Sequence, residues 1–566
     1  MPKKNKRRKK VKLKFDRIII LFLLLFLFIF GAEKLISKFS EKIIVSNYYL
    51  ASDKETISLF LYDEETKTMS ETKELIRGAE IKVNEKIKTV EDTEYKEITS
   101  KENENEEKYY INVVNLTKDK EEIIKEKNKY VRTSVTVYKN EKDSKIESFI
   151  KKGNELNILG YDFIDDTGKV NMYKVQTDDI TGWVYSKYLV NTEEEAKENY
   201  NENGVYDTHK KRKYSYELYG GKASTLDYYP YEKVEFKDNP LLKNAKAMYL
   251  NASADTMKKI DEYLKIATTS GVNAIVVDIK DGAMAYPSEV AKEYSPTAYK
   301  TSLNKLETYS DVIKKIKDAG IYAIGRIVVF NDVHYGKDHK DECIVSNYAN
   351  WPSAFSRGAW EYNVELAKEA IREFGFNEIQ FDYVRFPESS YEMSKNKADF
   401  RNKYNEEKAE AIQNFLFYAT DQIHKEGAYL SVDVFGECSG TYVTSYGQYW
   451  PAISNVVDVI SSMPYTDHFG RTVDTWTNAY KTVNNWAKGA AARQKEIPTP
   501  AIPRTWITAY NTPHWNPTVI YGETKISDQA RALVDAGLKG GFITWNSASS
   551  LSKYKEIKGA FNKDYQ

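Results

Sequence analysis

Cysteine and histidine are scarce in this chain of 566 residues: two cysteines, Cys343 and Cys438, and six histidines. Two thiols exclude a disulfide-dense scaffold and a cysteine-rich zinc module. Six histidines leave little material for a histidine-built metal centre, so no metal and no cofactor are expected. No G-x-G-x-x-G follows any candidate strand, which argues against a dinucleotide-binding sheet. Net charge is also missing, since 83 basic residues balance 83 acidic ones. The balance is uneven. Residues 1–17 hold ten Lys and Arg against one acid, Asp16, an excess of nine, so everything after residue 17 carries minus nine. Nucleic acid is therefore not an expected partner, because phosphate binding needs basic surface on the folded part. What is present, 41% apolar and 13% aromatic residues, suffices for real cores and excludes wholesale disorder. The length suggests roughly two to four domains.

Long hydrophobic runs are absent but for one, Ile18 to Ala32 (IIILFLLLFLFIFGA). Its fifteen residues make about 22 Å of helix, short of the roughly 30 Å hydrocarbon core. Lys14, Arg17 and Lys34 can snorkel and extend the span. A signal-peptide core has similar length, but Gly31-Ala32 runs directly into Glu33-Lys34-Leu35 without a clear small-x-small cleavage site. The expectation is an uncleaved anchor over 18–36 behind a basic cytoplasmic tail, 1–17. The basic excess before the run then makes a single-pass cell-membrane protein with the bulk of the chain extracellular.

A weak internal repeat follows. LFLY (59–62), LIRGAEIKV (75–83), YKEI (95–98) and YYINVVNL (109–116) line up with VTVY (135–138), FIKKGNELNIL (149–159), YKV (173–175) and GWVYSKYL (182–189). Gly78 and Gly153, 75 residues apart, anchor the two copies. GWVYSKYL resembles the closing signature of bacterial SH3-like cell-wall modules, which implies an SH3-like domain over 129–190 and a degenerate one over 40–128. The resemblance implies a peptidoglycan contact or a spacer role. Residues 191–245 are polar and Tyr-rich, and lack the apolar periodicity of a shared core. They read as a solvated linker whose end packs onto the next domain, leaving that domain able to fold alone.

From residue 246 apolar runs alternate with amphipathic segments. The strand candidates are 246–251, 274–280, 322–330, 378–384, 429–435, 457–463, 502–508 and 541–546. Gly271, Gly320, Gly375 and Gly427 each close a helical pattern directly before a strand. Eight such units predict an α/β chain with a (β/α)8 TIM barrel over 246–560, preceded by one or two small all-β SH3-like modules and an N-terminal transmembrane helix.

In such a barrel the chemistry sits at the strand C-termini. Alternation points Gln380 and Asp382 inward on the fourth strand, and Asp433, Phe435 and Glu437 on the fifth. Asp278 and Lys280 share a parity on the second. A carboxylate inside an apolar strand costs several kcal/mol unless paired or used. Asp382 and Asp433 on neighbouring strands are about 5 Å apart laterally, within range of two carboxylates flanking one glycosidic bond. Eight of nine tryptophans fall between Trp351 and Trp545, with Trp351, Trp450, Trp506, Trp515 and Trp545 at or just past strand ends, where rings can stack on sugars.

GVNAIVVDIKDGAMAY, YAIGRIVVFND, EIQFDYVRFPE, SVDVFGE and FITWN resemble the glycoside hydrolase family catalogued as the DUF4015 group. FDYVRFP is the most specific element. The resemblance implies a (β/α)8 barrel related to carbohydrate-cleaving enzymes, with Asp278, Arg326, Asp382, Arg385 and Asp433 on motif positions. The expected catalytic set is Asp382 as nucleophile or water-activating base, with Asp433 or Glu437 as the acid. Arg326 and Arg385 are expected to hold the ionised carboxylate. Asp278, Lys280, Tyr465, His468, Trp506, Trp545 and Asn546 complete a site for a polysaccharide substrate. One rival is a polysaccharide deacetylase, which wants a histidine pair plus Asp; His334 and His339 lie five apart in the loop HYGKDHKDEC, which reads as solvated. The other is a non-catalytic carbohydrate- or wall-binding scaffold, against which the intact acids on strands four and five argue.

Overall fold

The computed structural model describes residues 44–99, 107–201, 204–209, 219–346, 351–470, 472–512 and 518–565. The basic tail, the expected anchor 18–36 and Trp515 lie outside these residues. Among the described residues no helix is long and apolar enough to cross a membrane.

Two compact units form. One runs up to Lys127 and includes Gly160–Asn171; the other comprises Asn128–Leu159 and everything from Met172. The first holds seven antiparallel strands: β1 (Val45–Leu50), β2 (Thr56–Tyr62), β3 (Met69–Ile76), β4 (Glu80–Val90), β5 (Thr93–Ile98), β6 (Tyr109–Asn112) and β7 (Leu116–Thr117). Their order across the sheet is β3-β2-β6-β5-β4-β1-β7. Leu50, Ile57, Leu59, Ile81, Val83, Ile98, Tyr109 and Ile111 form its core. The segment 160–171 joins this unit through Arg77, whose Nε and Nη2 donate to the Gly168 carbonyl at 3.1 and 2.9 Å.

The repeat read from the sequence is a repeat of topology. β8 (Asn128–Val131), β9 (Val135–Tyr138), β10 (Ile146–Ile150), β11 (Glu155–Tyr161), β12 (Met172–Thr177), β13 (Ile180–Tyr185) and β14 (Leu189–Val190) are ordered β10-β9-β13-β12-β11-β8-β14, position for position the first arrangement. Gly78 and Gly153 take φ of 86° and 87° at equivalent turns. Their N–H groups donate to the ends of equivalent strands, Leu50 O at 2.9 Å and Val131 O at 2.7 Å. Space around Gly153 is open, so the left-handed backbone, not crowding, demands glycine there.

This second sheet belongs to the same unit as the barrel, and its aromatics explain why. Tyr138 stacks on Tyr418 (6.1 Å, 27°), and Tyr188 meets Phe417 edge-on while donating to Asp421 Oδ2 at 2.8 Å. Tyr418, Phe417 and Asp421 lie on one barrel helix, Lys408–Lys425.

The barrel strands are β15 (Ala245–Leu250), β16 (Ala274–Asp281), β18 (Tyr322–Val328), β19 (Glu378–Asp382), β20 (Tyr429–Phe435), β21 (Val459–Met463), β22 (Ile502–Pro503), β23 (Thr505–Thr508) and β24 (Gly541–Trp545), with the short β17 (Ala283–Met284) pairing back onto β16. The nine pair in parallel in the order β22-β21-β20-β19-β18-β16-β15-β24-β23, a nearly closed barrel. The seventh expected strand is two segments, because Arg504 separates β22 from β23. Gly271, Gly320, Gly375 and Gly427 all take left-handed φ between 64° and 74°. Gly375 caps the helix Arg357–Phe374, its N–H donating to Ile371 O at 2.8 Å before the chain turns into β19.

The connector differs from the solvated linker expected of its composition. Its packing begins well before its end. Tyr206 and Tyr228 stack at 3.5 Å and are buried with Leu226 against Ala409, Val443, Tyr449 and Ala452. Further along, Lys233 Nζ donates to the carbonyls of Asn455 and Val457, and Asn239 Nδ2 to those of Asn377 and Gly427. Burial pushes the Lys233 amine down to about 8. A strap of this kind buries isolated tyrosines and satisfies loop carbonyls, so it leaves no periodic signal.

Candidate functional site

Four inward side chains on consecutive strands meet at the C-terminal half of the barrel. Asp278 (β16) stands in register with Arg326 (β18), Asp382 closes β19, and Asp433 lies on β20. Arg326 joins them. Its Nη1 reaches Asp278 Oδ1 at 2.7 Å and Asp281 Oδ2 at 3.1 Å; its Nη2 reaches Asp382 Oδ2 at 2.6 Å; its Nε lies 3.8 Å from Asp433 Oδ2. Aromatic groups close the cluster. Tyr249 on β15 donates its hydroxyl to Asp278 Oδ2 at 2.5 Å, and Trp506 on β23 donates Nε1–H to Asp433 Oδ1 at 2.6 Å. Trp545 at the end of β24 stacks with Tyr465 (6.3 Å, 25°), and the Arg326 guanidinium lies over the Tyr249 and Trp545 rings.

One cation against four acids leaves the acids undercompensated. Burial lifts the Asp278 carboxyl to about 6, against the pull of Arg326. Burial, reinforced by the neighbouring Asp382 charge, holds Asp433 well above the usual carboxylate range, with Arg326 and the Trp506 hydrogen bond opposing. Burial alone would lower Arg326, but Asp382 and Asp278 raise it further above its ordinary value. Asp382 is fixed on both oxygens, by Arg326 on Oδ2 and by the Tyr383 N–H on Oδ1 at 2.6 Å. Tyr383 pays for this with a φ of 54°, a conformation costing on the order of 1–3 kcal/mol that tends to mark functional sites.

Other expected site residues are placed differently. Lys280 does not share the direction of Asp278, because the β16–β18 register shifts between them. The irregularity turns its amine outward to Asp332 Oδ2 (2.5 Å) and Asn363 Oδ1 (2.9 Å). Arg385 does not hold Asp382 by a direct bond. Its Nη2 faces Glu388 at 3.2 Å, and its guanidinium sits against the rings of Phe435 (4.5 Å), Tyr383 (4.8 Å) and Trp351 (5.7 Å). Glu437 is exposed on the turn Gly436–Ser439, where Tyr442 and Tyr446 donate hydroxyls to it at 2.7 and 3.0 Å. His468 is exposed with its ring 5.3 Å from Tyr465. Asn546 donates to Ser550 O at 3.2 Å, ahead of the last helix. Trp506 is 1% exposed and offers no face to a sugar.

Tyr249 and Asp281 are site residues that sequence reasoning missed, although the parity of Tyr249 with Ala247 on an inward-facing strand carried a signal for the first. His339 gives Nε2 to a contact with the Tyr294 carbonyl at 2.6 Å and stacks on Tyr335. Among the described residues no three His, Cys, Asp or Glu side chains are grouped to hold a metal ion.

Known proteins resemble parts of this chain. Residues 247–551 match the family described as "Putative glycosyl hydrolase domain", DUF4015. No curated protein matches the chain. Similar solved structures include a hypothetical protein from Ruminiclostridium thermocellum ATCC 27405 (33% identity, 33% of this chain, 97% of that one, TM-score 0.28). Others are the PgaB (BpsB) glycoside hydrolase domain from Bordetella bronchiseptica (10% identity, 56% and 99% covered, TM-score 0.42) and the spore cortex-lytic enzyme SleL of Bacillus megaterium QM B1551 (12% identity, 57% and 75% covered, TM-score 0.36). With 247–551 of 566 residues matched, more than half of its length, the chain belongs to the DUF4015 family of glycosyl hydrolase domains.

Proposed function

We propose that this protein hydrolyses glycosidic bonds of a cell-surface or cell-wall polysaccharide with two carboxyl groups, Asp433 as proton donor and Asp382 as nucleophile or water-activating base. The observation that carries the reading is the asymmetry of the two acids. Burial, with the neighbouring Asp382 charge, pushes the Asp433 carboxyl well above the usual carboxylate range, whereas Asp382 is bonded on both oxygens by N–H donors. Environments that differ in this way separate an acid from a base. As the glycosidic bond breaks, Asp433 protonates the leaving oxygen while Asp382 attacks, or activates water against, the anomeric carbon. Arg326 bonds Asp382 and lies 3.8 Å from Asp433, between the two carboxyls that exchange charge. The half-buried Trp545, backed by the Tyr465 ring, supplies a ring face for the sugar. Glu437, exposed and held by two tyrosines, suits a contact with substrate hydroxyls.

In this reading β22 and β23 are one strand interrupted at Arg504, giving a (β/α)8 barrel, and the two β-modules are SH3-like spacers or wall contacts. The basic tail and apolar run place the enzyme outside the cell on a single-pass anchor; protease added to intact cells should then degrade the barrel, and full protection would refute the topology. The activity test is reducing-end release from a panel of bacterial glycans by the purified protein, with Asp382→Asn as control. Release that survives in a folded Asp382→Asn protein removes Asp382 from the mechanism.

A further inference from the structure

Trp506 is drawn into the site without being able to touch a sugar face. Its indole is buried in the barrel interior with Tyr249, Tyr465 and Ile543, and meets Trp545 edge-on at 5.4 Å. The Nε1–H ends on Asp433 Oδ1 at 2.6 Å. The other oxygen of Asp433, Oδ2, is buried and accepts no hydrogen bond from the described residues, with Arg326 Nε beyond bonding range at 3.8 Å. An indole is a donor only, so the oxygen it meets must offer a lone pair. Both oxygens of a carboxylic acid carry lone pairs, but the carbonyl oxygen is the much stronger acceptor, so the indole selects Oδ1 as the carbonyl oxygen and leaves the hydroxyl on Oδ2.

We propose that Trp506 is a positioning residue: by claiming Oδ1 of Asp433, it makes Oδ2 the oxygen that carries the proton and hands it to the substrate. The inference rests on Asp433 being the proton donor. In the transfer the Oδ2–H bond breaks as a new O–H bond forms to the glycosidic oxygen. The carbon–oxygen bond to the leaving group breaks, its electron pair going to that oxygen. Asp433 is left as a carboxylate whose Oδ1 already holds the indole N–H and whose Oδ2 faces Arg326. The indole bond is therefore stronger after transfer than before it, because a hydrogen bond to a charged acceptor is the stronger kind. Asp433 is also faced by Asp382 and Glu378 from β19 and by the Tyr465 hydroxyl beyond β21; these acids favour the neutral form that Trp506 opposes.

The test is infrared difference spectroscopy of the full-length protein through a pH titration. A protonated-carboxyl C=O band that Asp433→Asn abolishes reports on Asp433. Trp506→Phe keeps an aromatic ring and removes the donor. The band should then move to higher frequency, and its titration midpoint should rise by about one to two pH units. On any glycan that is cleaved, the basic limb of kcat/KM should rise by the same amount, and kcat should fall about tenfold with KM unchanged. If Trp506→Phe does not fold, the wild-type indole N–H proton resonances replace it. One of them should shift with pH at the midpoint of the band and lose that dependence in Asp433→Asn. A band and midpoint unchanged in a folded Trp506→Phe protein, or indole resonances that ignore the titration, would overturn the inference. Expected band shifts without turnover on any glycan would support the Trp506–Asp433 assignment and count against the hydrolase reading alone.

Discussion

Two arginines are buried inside the same barrel, and they keep different company. Arg504, between β22 and β23, meets one carboxylate among the described residues, Glu378 at 2.7 Å, and the Leu242 carbonyl at 2.8 Å. Tyr322 completes the Glu378 shell at 3.2 Å. Arg326, one layer up, meets Asp278, Asp281 and Asp382 within 3.1 Å and Asp433 at 3.8 Å. The lower pair balances its charge and closes the barrel base. The upper cluster is acid-rich, and burial with few cations raises Asp278 and Asp433 above the ordinary carboxylate range, which favours retention of a proton that can be transferred. Burial is common to the two arginines; the ratio of charges is what separates them.

The comparison breaks most directly at Asp382. Asp382→Asn should reduce turnover by roughly three powers of ten, about 4 kcal/mol of transition-state stabilisation, with little change in melting temperature. Loss of folding with turnover per folded molecule retained would place the upper cluster in the same class as the lower. Glu378→Gln should do the opposite. It orphans Arg504 and should cost about 3–5 kcal/mol in urea unfolding while turnover per folded molecule stays. A midpoint equal to wild type would end the contrast between the two arginines.

Asp278 sharpens it through pH. Its folded value of about 6 lies above the ordinary 3.8, so the folded state binds this proton more tightly. The stability it contributes is fully present below the unfolded value and is lost as pH rises through about 6, by up to about 3 kcal/mol. Asp278→Asn should flatten that decline in stability measured between pH 4 and 7; an unchanged slope would assign the decline to other groups. The mildest case is Asp421, a buried acid met by Lys187 and Tyr188 from the second β-sheet. Tyr188→Phe should cost about 1.5 kcal/mol in the same unfolding experiment and leave turnover untouched, as a balanced site requires.

Much of this architecture is legible along the chain because it depends on neighbours in sequence. Period-two alternation set the inward direction of Asp382 and Asp433, and glycines before strands marked four helix ends where a left-handed turn is needed. The doubled β-module showed in its spaced glycines, Gly78 and Gly153. Parity failed at Lys280, where one irregular register step reverses every direction beyond it. The expectation for Arg385 came from its place in FDYVRFP and not from parity, and the positive φ of Tyr383 ends the strand before the arginine is reached. The connector's tyrosines and the Tyr138 and Tyr188 contacts carry no period at all, since each is a single long-range docking event. Nor could local pattern pair Trp506 with Asp433, 73 residues away, or count one arginine against four acids. Local periodicity decides which way a side chain faces. Only the nearly closed barrel brings the strand ends together, and with them the charge ratio that decides what the acids can do.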